Sequence, residues 1–578
     1  MNKRMQLAIA AAVAALGVGA SGCSSPGRST ETGGKNPATA NEGRVVGGTP
    51  VKGGTLTVLS HADYVHLDPT RNWIMPDMGF GIRTLYRTLV TFKAEPGKSG
   101  SEIVPDLATD LGTPSNGGRT WKFTLREGVK YEDGTPVTAQ DIKYGVERSF
   151  SSELSGGADY AVRYLAGTKG YTGPLNGKHL DSIKTPDART VIFELNRPVA
   201  DFAYTTTLPT FAPVPQNKEA GAKYDEHPFS SGPYKVQSYE RKKRLVLVRN
   251  EHWAAETDSV RKAYPEKIVV VMGGERSQID DRMLASSGAD ASAVPGGGVD
   301  PASVSKVLGN ADAAKRLVSE KGACVRMLAL NTSRAPFNDP KVRQAMQWAV
   351  DKEALVTADG GPALSETATS YLPAALTGGT PQDPLKIPPS GDAQKAKDLL
   401  AAAGKKDGLA VKITVAESSK AMAVALQNSL AKAGVKVTID PVSDDGYYGA
   451  VGNTRTAPEM LFAGFCPDYP SGSTMLPPVF GGSAIKETGN ISNFSQFDDK
   501  ATNDRIDEIS AMADAQKAAK AWIGLDAEIL AKSPAVPLTT RRSSLLVGSN
   551  IAGAVGHPIW GGLDFGTIGL KDRSKQTG

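Results

Sequence analysis

The stretch from Val411 to Ile439 constrains the fold more than any other. Val411 to Val415 is apolar and β-branched, Ser419 to Ala433 has helical spacing and stops at Gly434, and Val435 to Ile439 is strand-like again. Two strands separated by a helix pair in parallel, since a parallel pair needs a crossover of a dozen or more residues. At least one α/β lobe is predicted.

Other local signals fit a mixed α/β chain. Gly54 to Leu59 alternates as a strand, and Ile82, Leu85, Tyr86 and Leu89 predict a helix between Gly79 and Phe92. Trp121, Phe123 and Leu125 share a face, and Glu127-Gly128 predicts a hairpin turn returning through Val129 and Tyr131. Thr138 with Asp141 three residues on, and Asn338-Asp339-Pro340, mark two helix starts. A long helix is predicted from about Asp504 to Lys532, stopped by Pro534. No repeat at solenoid or propeller periods is visible.

The amino terminus reads as an address. Lys3 and Arg4 precede an apolar run of about sixteen residues, Met5 to Ala20, short of the roughly 20 a bilayer-spanning helix needs but right for a signal peptide. Ala20-Ser21-Gly22-Cys23 resembles a lipobox, with Ala20 where Leu is usual, so residues 1–22 are expected to be removed and Cys23 lipidated. Residues 23–50 are rich in Gly, Ser, Thr, Pro and Asn with few apolar side chains, and are expected to be a flexible tether. Beyond them roughly 525 residues remain, too many for one core. Net charge is +5, or +3 once the two basic residues Lys3 and Arg4 are removed, and the run Arg241 to Arg244 reads as a solvated hairpin turn. Nucleic acid is not an expected partner.

Seven segments in one order carry a family resemblance: Gly53-Gly54-Thr55-Leu56 with Leu67-Asp68-Pro69, Trp121 to Gly134, Ser231 to Lys235, Asn250 to Trp253, Ala329 to Thr332, Phe337 to Ala345, and Gly464 to Tyr469. From Gly53 to about Asp572 the chain resembles the extracellular solute-binding proteins of oligopeptide and dipeptide ATP-driven (ABC) importers. The resemblance implies an α/β fold, a two-lobed periplasmic-binding-protein-like clamp with an additional small domain and a hinge between lobes. Lobe I would comprise residues 51–93, 229–323 and 535–578, the extra domain 94–228, and lobe II 324–534. It implies a monomer on the outer face of the cytoplasmic membrane, with no cofactor and no catalytic residue. Its partners would be a short peptide and separate permease and ATPase subunits.

In the resembled family a carboxylate follows a ligand-facing strand. Here Gly464-Phe465-Cys466 would be the peptide-pairing edge and Asp468 the partner of the α-ammonium, although Asp468-Tyr469-Pro470 also suits an Asx turn. Asn72, Trp73, Tyr469 and Asn493 lie at positions implied to face the ligand, with core roles as the alternative. Cys324 and Cys466, the thiols left once Cys23 is lipidated, are expected to pair outside the cytoplasm, two separately buried thiols being the alternative. Another solute of the same fold, or a secreted hydrolase, are the rival functions. His61 and His66 are too few for a metal site, Ser303 and Lys306 lack the partners of an acylating S-x-x-K, and Gly97-Lys98-Ser99 lacks the first Gly of a phosphate loop.

Overall fold

The computed structural model describes residues 39–154 and 156–575. Cys23, the leader and the first part of the expected tether lie outside the described residues.

Two large sheets organise the molecule. The first has five strands, in the order Ala293–Pro295, Thr55–Leu59, Lys267–Val271, Arg244–Arg249 and Tyr234–Glu240. The first three of these run parallel and the last two form an antiparallel hairpin whose turn is the basic run Arg241 to Lys243. The second has six, in the order Ser365–Thr367, Ala535–Leu546, Leu317–Leu330, Met460–Phe465, Leu409–Ala416 and Val435–Val442. Leu409–Ala416 and Val435–Val442 are parallel and joined by helix Lys420–Lys432, as the alternation of apolar residues there predicts.

Leu317–Leu330 and Ala535–Leu546 each enter two apolar cores. Leu317 and Leu546 pack with Leu59, Ile279 and Met283. Leu328, Leu330, Val536 and Leu538 pack with Val342, Met346, Ile413 and Leu426. These antiparallel strands therefore cross between the halves of the clamp. Midway, the pairing jumps from Lys321–Arg542 to Val325–Thr540, leaving Gly322, Ala323 and Cys324 opposite Arg541 alone. Such a bulge bends the strand locally. Gly322 is required there, because a Cβ would stand 2.6 Å from the Arg541 carbonyl oxygen.

Several local expectations hold. Thr138 and Asp141 form a reciprocal capping box on helix Ala139–Arg148, and Asp339 caps helix Pro340–Ala349. Others fail for physical reasons. Thr120–Thr124 does not fold back through Val129 and Tyr131. It pairs with Thr190–Glu194, where Phe193 and Val191 bury more apolar surface against Trp121 and Phe123 than a short hairpin could. The helix predicted from Gly79 to Phe92 occupies Met75–Thr84, and Val90–Phe92 becomes a strand. The expected long helix near the carboxyl terminus is two, Lys500–Ser510 and Ala515–Lys532, the second started by an Asp514 cap.

The tether expectation is corrected for residues 39–50. Asn41 Nδ2 donates to the carbonyls of Ala314 and Leu317 at 3.0 and 2.9 Å, Val46 bridges Ala554, and Glu42 pairs with Arg542 on a crossing strand. Polar composition reports little burial of side chains, but a segment can still be held by its backbone and one charge.

Candidate functional site

In open α/β sheets ligands bind outside the carboxyl ends of the strands. In the second sheet those ends are Ala416, Val442 and Phe465. Strand Met460–Phe465 is apolar and fills the sheet against Val325–Leu330 on one side. On its other side it pairs with Leu409–Ala416 at Met460 and Leu461 alone, so Phe462–Phe465 has no strand partner there among the described residues. Tyr447 donates to the Phe462 carbonyl at 2.5 Å. Gly464 faces open space, since a Cβ on it would meet nothing within 4 Å. Phe465 is half-buried against the main core. Cys466 is joined to Cys324 by a disulfide, S–S 2.01 Å, which fixes the end of this edge to the start of the second half of the crossing strand.

Asp468 follows Pro467. Its carboxylate accepts a hydrogen bond from the Tyr160 hydroxyl at 2.5 Å and, among the described residues, from no backbone N–H of its own turn. The Asx-turn alternative is therefore not what the structure shows. Tyr160 opens the short helix Tyr160–Tyr164, far from Asp468 in sequence. Burial raises the Asp468 carboxyl above its ordinary value, and Asp159 adds to this, while the Tyr160 hydrogen bond and the Arg163 charge oppose it. A carboxylate desolvated in this way gains more from a cation than one in water would.

Tyr469 is fully buried. Its ring lies 5.4 Å from Tyr160 and stacks at 6.1 Å on Tyr204, and its hydroxyl accepts from Thr205 at 3.3 Å. It locks the segment rather than facing a ligand. A cavity of about 640 Å³ adjoins this cluster, lined by Arg163, Tyr164, Asp201, Pro470, Ser473 and Trp522 among others. Asp468 is not on its wall, but Pro470, two residues on, is.

Three expected residues stand apart. Asn72 is buried and donates to the Tyr86 hydroxyl at 2.9 Å, beside the Asp68 turn that Arg148 holds at 2.7 Å. Trp73 is 48% exposed and has no ring partner among the described residues. Asn493 is corrected to a structural role: its Nδ2 donates to Gly481 and Phe497 carbonyls, and its Oδ1 accepts from Phe497 N and Ser495, which exhausts the side chain inside its own loop. His61 and His66 are taken by Arg276 and Asp225.

Sequence reasoning missed Tyr160, which carries no motif. It also missed Arg326, although a lone charge within Val325 to Leu330, an otherwise apolar strand, was a visible signal.

Comparison with known proteins shows the family. Residues 102–487 match the model of the bacterial extracellular solute-binding proteins, family 5 Middle. The chain is 27% identical over 469 residues to the periplasmic murein peptide-binding protein MppA of Escherichia coli K12, spanning 79% of this chain and 81% of that one. It is 24% identical over 468 residues to the dipeptide-binding protein of the same organism, spanning 75% and 81%. Among solved structures, the clavulanic acid biosynthesis oligopeptide binding protein 2 superposes with a TM-score of 0.86 at 31% identity, covering 92% of this chain and 98% of that one. The two-lobed architecture, the crossing strands and the family match agree, and the chain belongs to the bacterial extracellular solute-binding proteins of family 5.

Proposed function

We propose that this protein captures short peptides between its lobes and delivers them to a membrane permease driven by separate ATPase subunits, without catalysing a reaction. The observation that carries this is Asp468, a partly desolvated carboxylate at the end of an unpaired strand edge. The edge can pair with any peptide backbone and the carboxylate with any α-ammonium, so the site reads what all peptides share. Relatives named for murein peptides, dipeptides and oligopeptides support the reading. Lobe divisions near residues 93, 228, 323 and 534 are part of the proposal, as is a lipid anchor on Cys23 that holds an exported monomer at the membrane. Cys23→Ala should then move the protein to the soluble secreted fraction.

Asp468→Asn tests the electrostatic role. It retains an acceptor for Tyr160 but removes the charge, and loss of a buried ion partner typically costs about 3–5 kcal/mol, or roughly two to three and a half decades of affinity. Titration calorimetry with trialanine should show that loss, and N-acetylated trialanine should bind the wild type comparably weakly. The ligand-free melting temperature should change little. Unchanged affinity, or equal affinity for free and acetylated peptide, would overturn the assignment.

A further inference from the structure

A second cavity, of about 470 Å³, lies at the amino ends of the first sheet's parallel strands. Its walls fix that position. Gly548, on one wall, donates its N–H to the Ala293 carbonyl at the start of strand Ala293–Pro295. Leu284 and Ala285, on another, end helix Arg276–Ala285, which follows the carboxyl end of Lys267–Val271 and returns to this side. Ligands of such sheets bind at the carboxyl ends, so this cavity is a separate place.

Its charge is one-sided. Lys315, Arg316 and Lys571 line it, and Asp312 is the acid among them. Asp312 is taken by the exposed Lys315 at 3.1 Å. Arg316 donates to the Met283 and Leu284 carbonyls at 2.9 and 3.2 Å, and Lys571 Nζ to that of Ser549 at 2.7 Å. These acceptors are uncharged, and neither cation is in an ion pair among the described residues. Burial lowers the Lys571 pKa, and Arg316 and Lys575 lower it further, so Lys575 adds to the same field.

The amino-terminal segment forms part of the same wall. Val46 and Gly47 line the cavity, and Asn41 Nδ2 donates to the carbonyls of Ala314, Lys315 and Leu317 beside it. Val45 and Val51 of this segment are 53% and 39% exposed. A fully extended chain from Cys23 to Thr39 reaches at most about 55 Å. A lipid on Cys23 therefore keeps this face, before any other, within reach of the bilayer.

We propose that this basic face docks on the phosphate groups of anionic lipids in the membrane that anchors the chain. The choice of a membrane rests on the Cys23 anchor reading, whereas the cavity and its charge do not. Ammonium groups on flexible stems reach headgroup phosphates while their methylenes stay on the protein surface, and exposed valines suit the interface. A tether alone leaves the clamp free to turn. Docking holds the amino ends of the first sheet on the membrane and leaves the carboxyl ends, where ligand enters, turned away from it.

The test uses residues 24–578, which keep every described contact and carry no lipid. Its failure is thus distinct from failure of the anchor, which the fractionation of Cys23→Ala judges. The wild type should sediment with vesicles of equimolar phosphatidylcholine and phosphatidylglycerol, not with phosphatidylcholine alone, and salt should release it. Lys315→Gln/Lys571→Gln/Lys575→Gln should lose roughly fivefold in partition per lysine, about a hundredfold together. Lys405→Gln/Lys406→Gln/Lys436→Gln removes the same charge elsewhere and should bind as the wild type does. These lysines are exposed, so both variants should keep the wild-type melting temperature. Equal losses in the two variants would reduce the effect to net charge and overturn the site, as would equal binding to both kinds of vesicle. Millimolar inorganic phosphate tests the other source of the same chemistry. If it raises the melting temperature of the wild type but not of the first variant, while mixed vesicles bind neither, the cavity takes a free anion and membrane docking is overturned.

Discussion

Arginine serves this protein in two opposite ways. Arg87 and Arg261 are enclosed with Asp106 and Asp258, all four side chains at most 1% exposed. Their guanidinium groups are fully engaged: Arg261 reaches Asp106 at 2.8 Å and Asp258 at 3.0 Å, and Arg87 reaches Asp106 at 2.7 Å and the Thr257 carbonyl at 2.7 Å. Burial alone would raise the Asp258 carboxyl, yet Arg261 and Arg87 hold it well below the usual carboxylate range. Arg326 pairs with Asp359, whose charge also reaches Arg541, while Arg276 donates to the His61 ring, and Arg276 and Arg541 are exposed. The balanced group stitches loops into the core, whereas the second group carries more positive than negative charge. Charge balance, more than residue type, separates these two groups of arginines.

That contrast breaks most forcefully at Asp106. Asp106→Asn leaves two buried guanidinium groups to share Asp258, and should lower unfolding free energy by about 3–5 kcal/mol in urea titration. A second enclosed arginine sharpens the point through pH. Arg83 is paired with Asp564 at 2.8 Å under Trp560, and His557 stacks on the same indole at 3.9 Å. His557 Nδ1 accepts from the Ile559 and Trp560 N–H groups, and burial, with a contribution from Arg83, pushes its pKa down to about 3. Between pH 6.5 and about 3 the unfolded chain takes up a proton that the native ring refuses. The stability this residue contributes is therefore complete above pH 6.5 and lost on acidification, by about 1.4 kcal/mol per pH unit. In His557→Gln that part of the slope should vanish from a series of urea titrations across the window.

Arg542 is intermediate, 6% exposed and shared by Glu42 and Glu366. Glu42→Gln should cost about 1 kcal/mol, since the partner is partly solvated and Glu366 remains. Differential scanning calorimetry would show whether the docked segment contributes at all. The smallest effect is expected at Arg541→Gln, within about 0.5 kcal/mol of the wild type and on the stabilising side, because it relieves repulsion without removing a bond. A large loss there would mean that Arg541 is structural and would erase the contrast.

How far the sequence disclosed this depended on how local the cause was. Helix caps at Thr138 and Asp339, and the strand-helix-strand unit after Leu409, follow from neighbours within a few residues. The pairing of Trp121 with Phe193 does not, and a plausible turn at Glu127-Gly128 concealed it. Asp468 could be found because a family resemblance marked its segment, while its partner Tyr160 could not, since nothing near Tyr160 in the chain announces a contact about 300 residues away. Asn493 misled for the converse reason: a polar residue in a resembling segment proved to be consumed by its own loop.

The crossing strands also set when the molecule can fold. Val536 and Leu538 complete one core and Leu546 another, while Trp560, Leu563 and Leu570 complete the core around Leu56, Phe80 and Phe92. During synthesis, at about 5–20 residues per second, none of these cores is complete until nearly the whole chain has left the ribosome. An ordinary multidomain protein folds its first domain while the next is being made, but here the core around the earliest strand gains its last members from the carboxyl-terminal segment. For a member of an extracellular family that delay is useful, since a nascent chain without a finished core is still a thread when it reaches the export machinery.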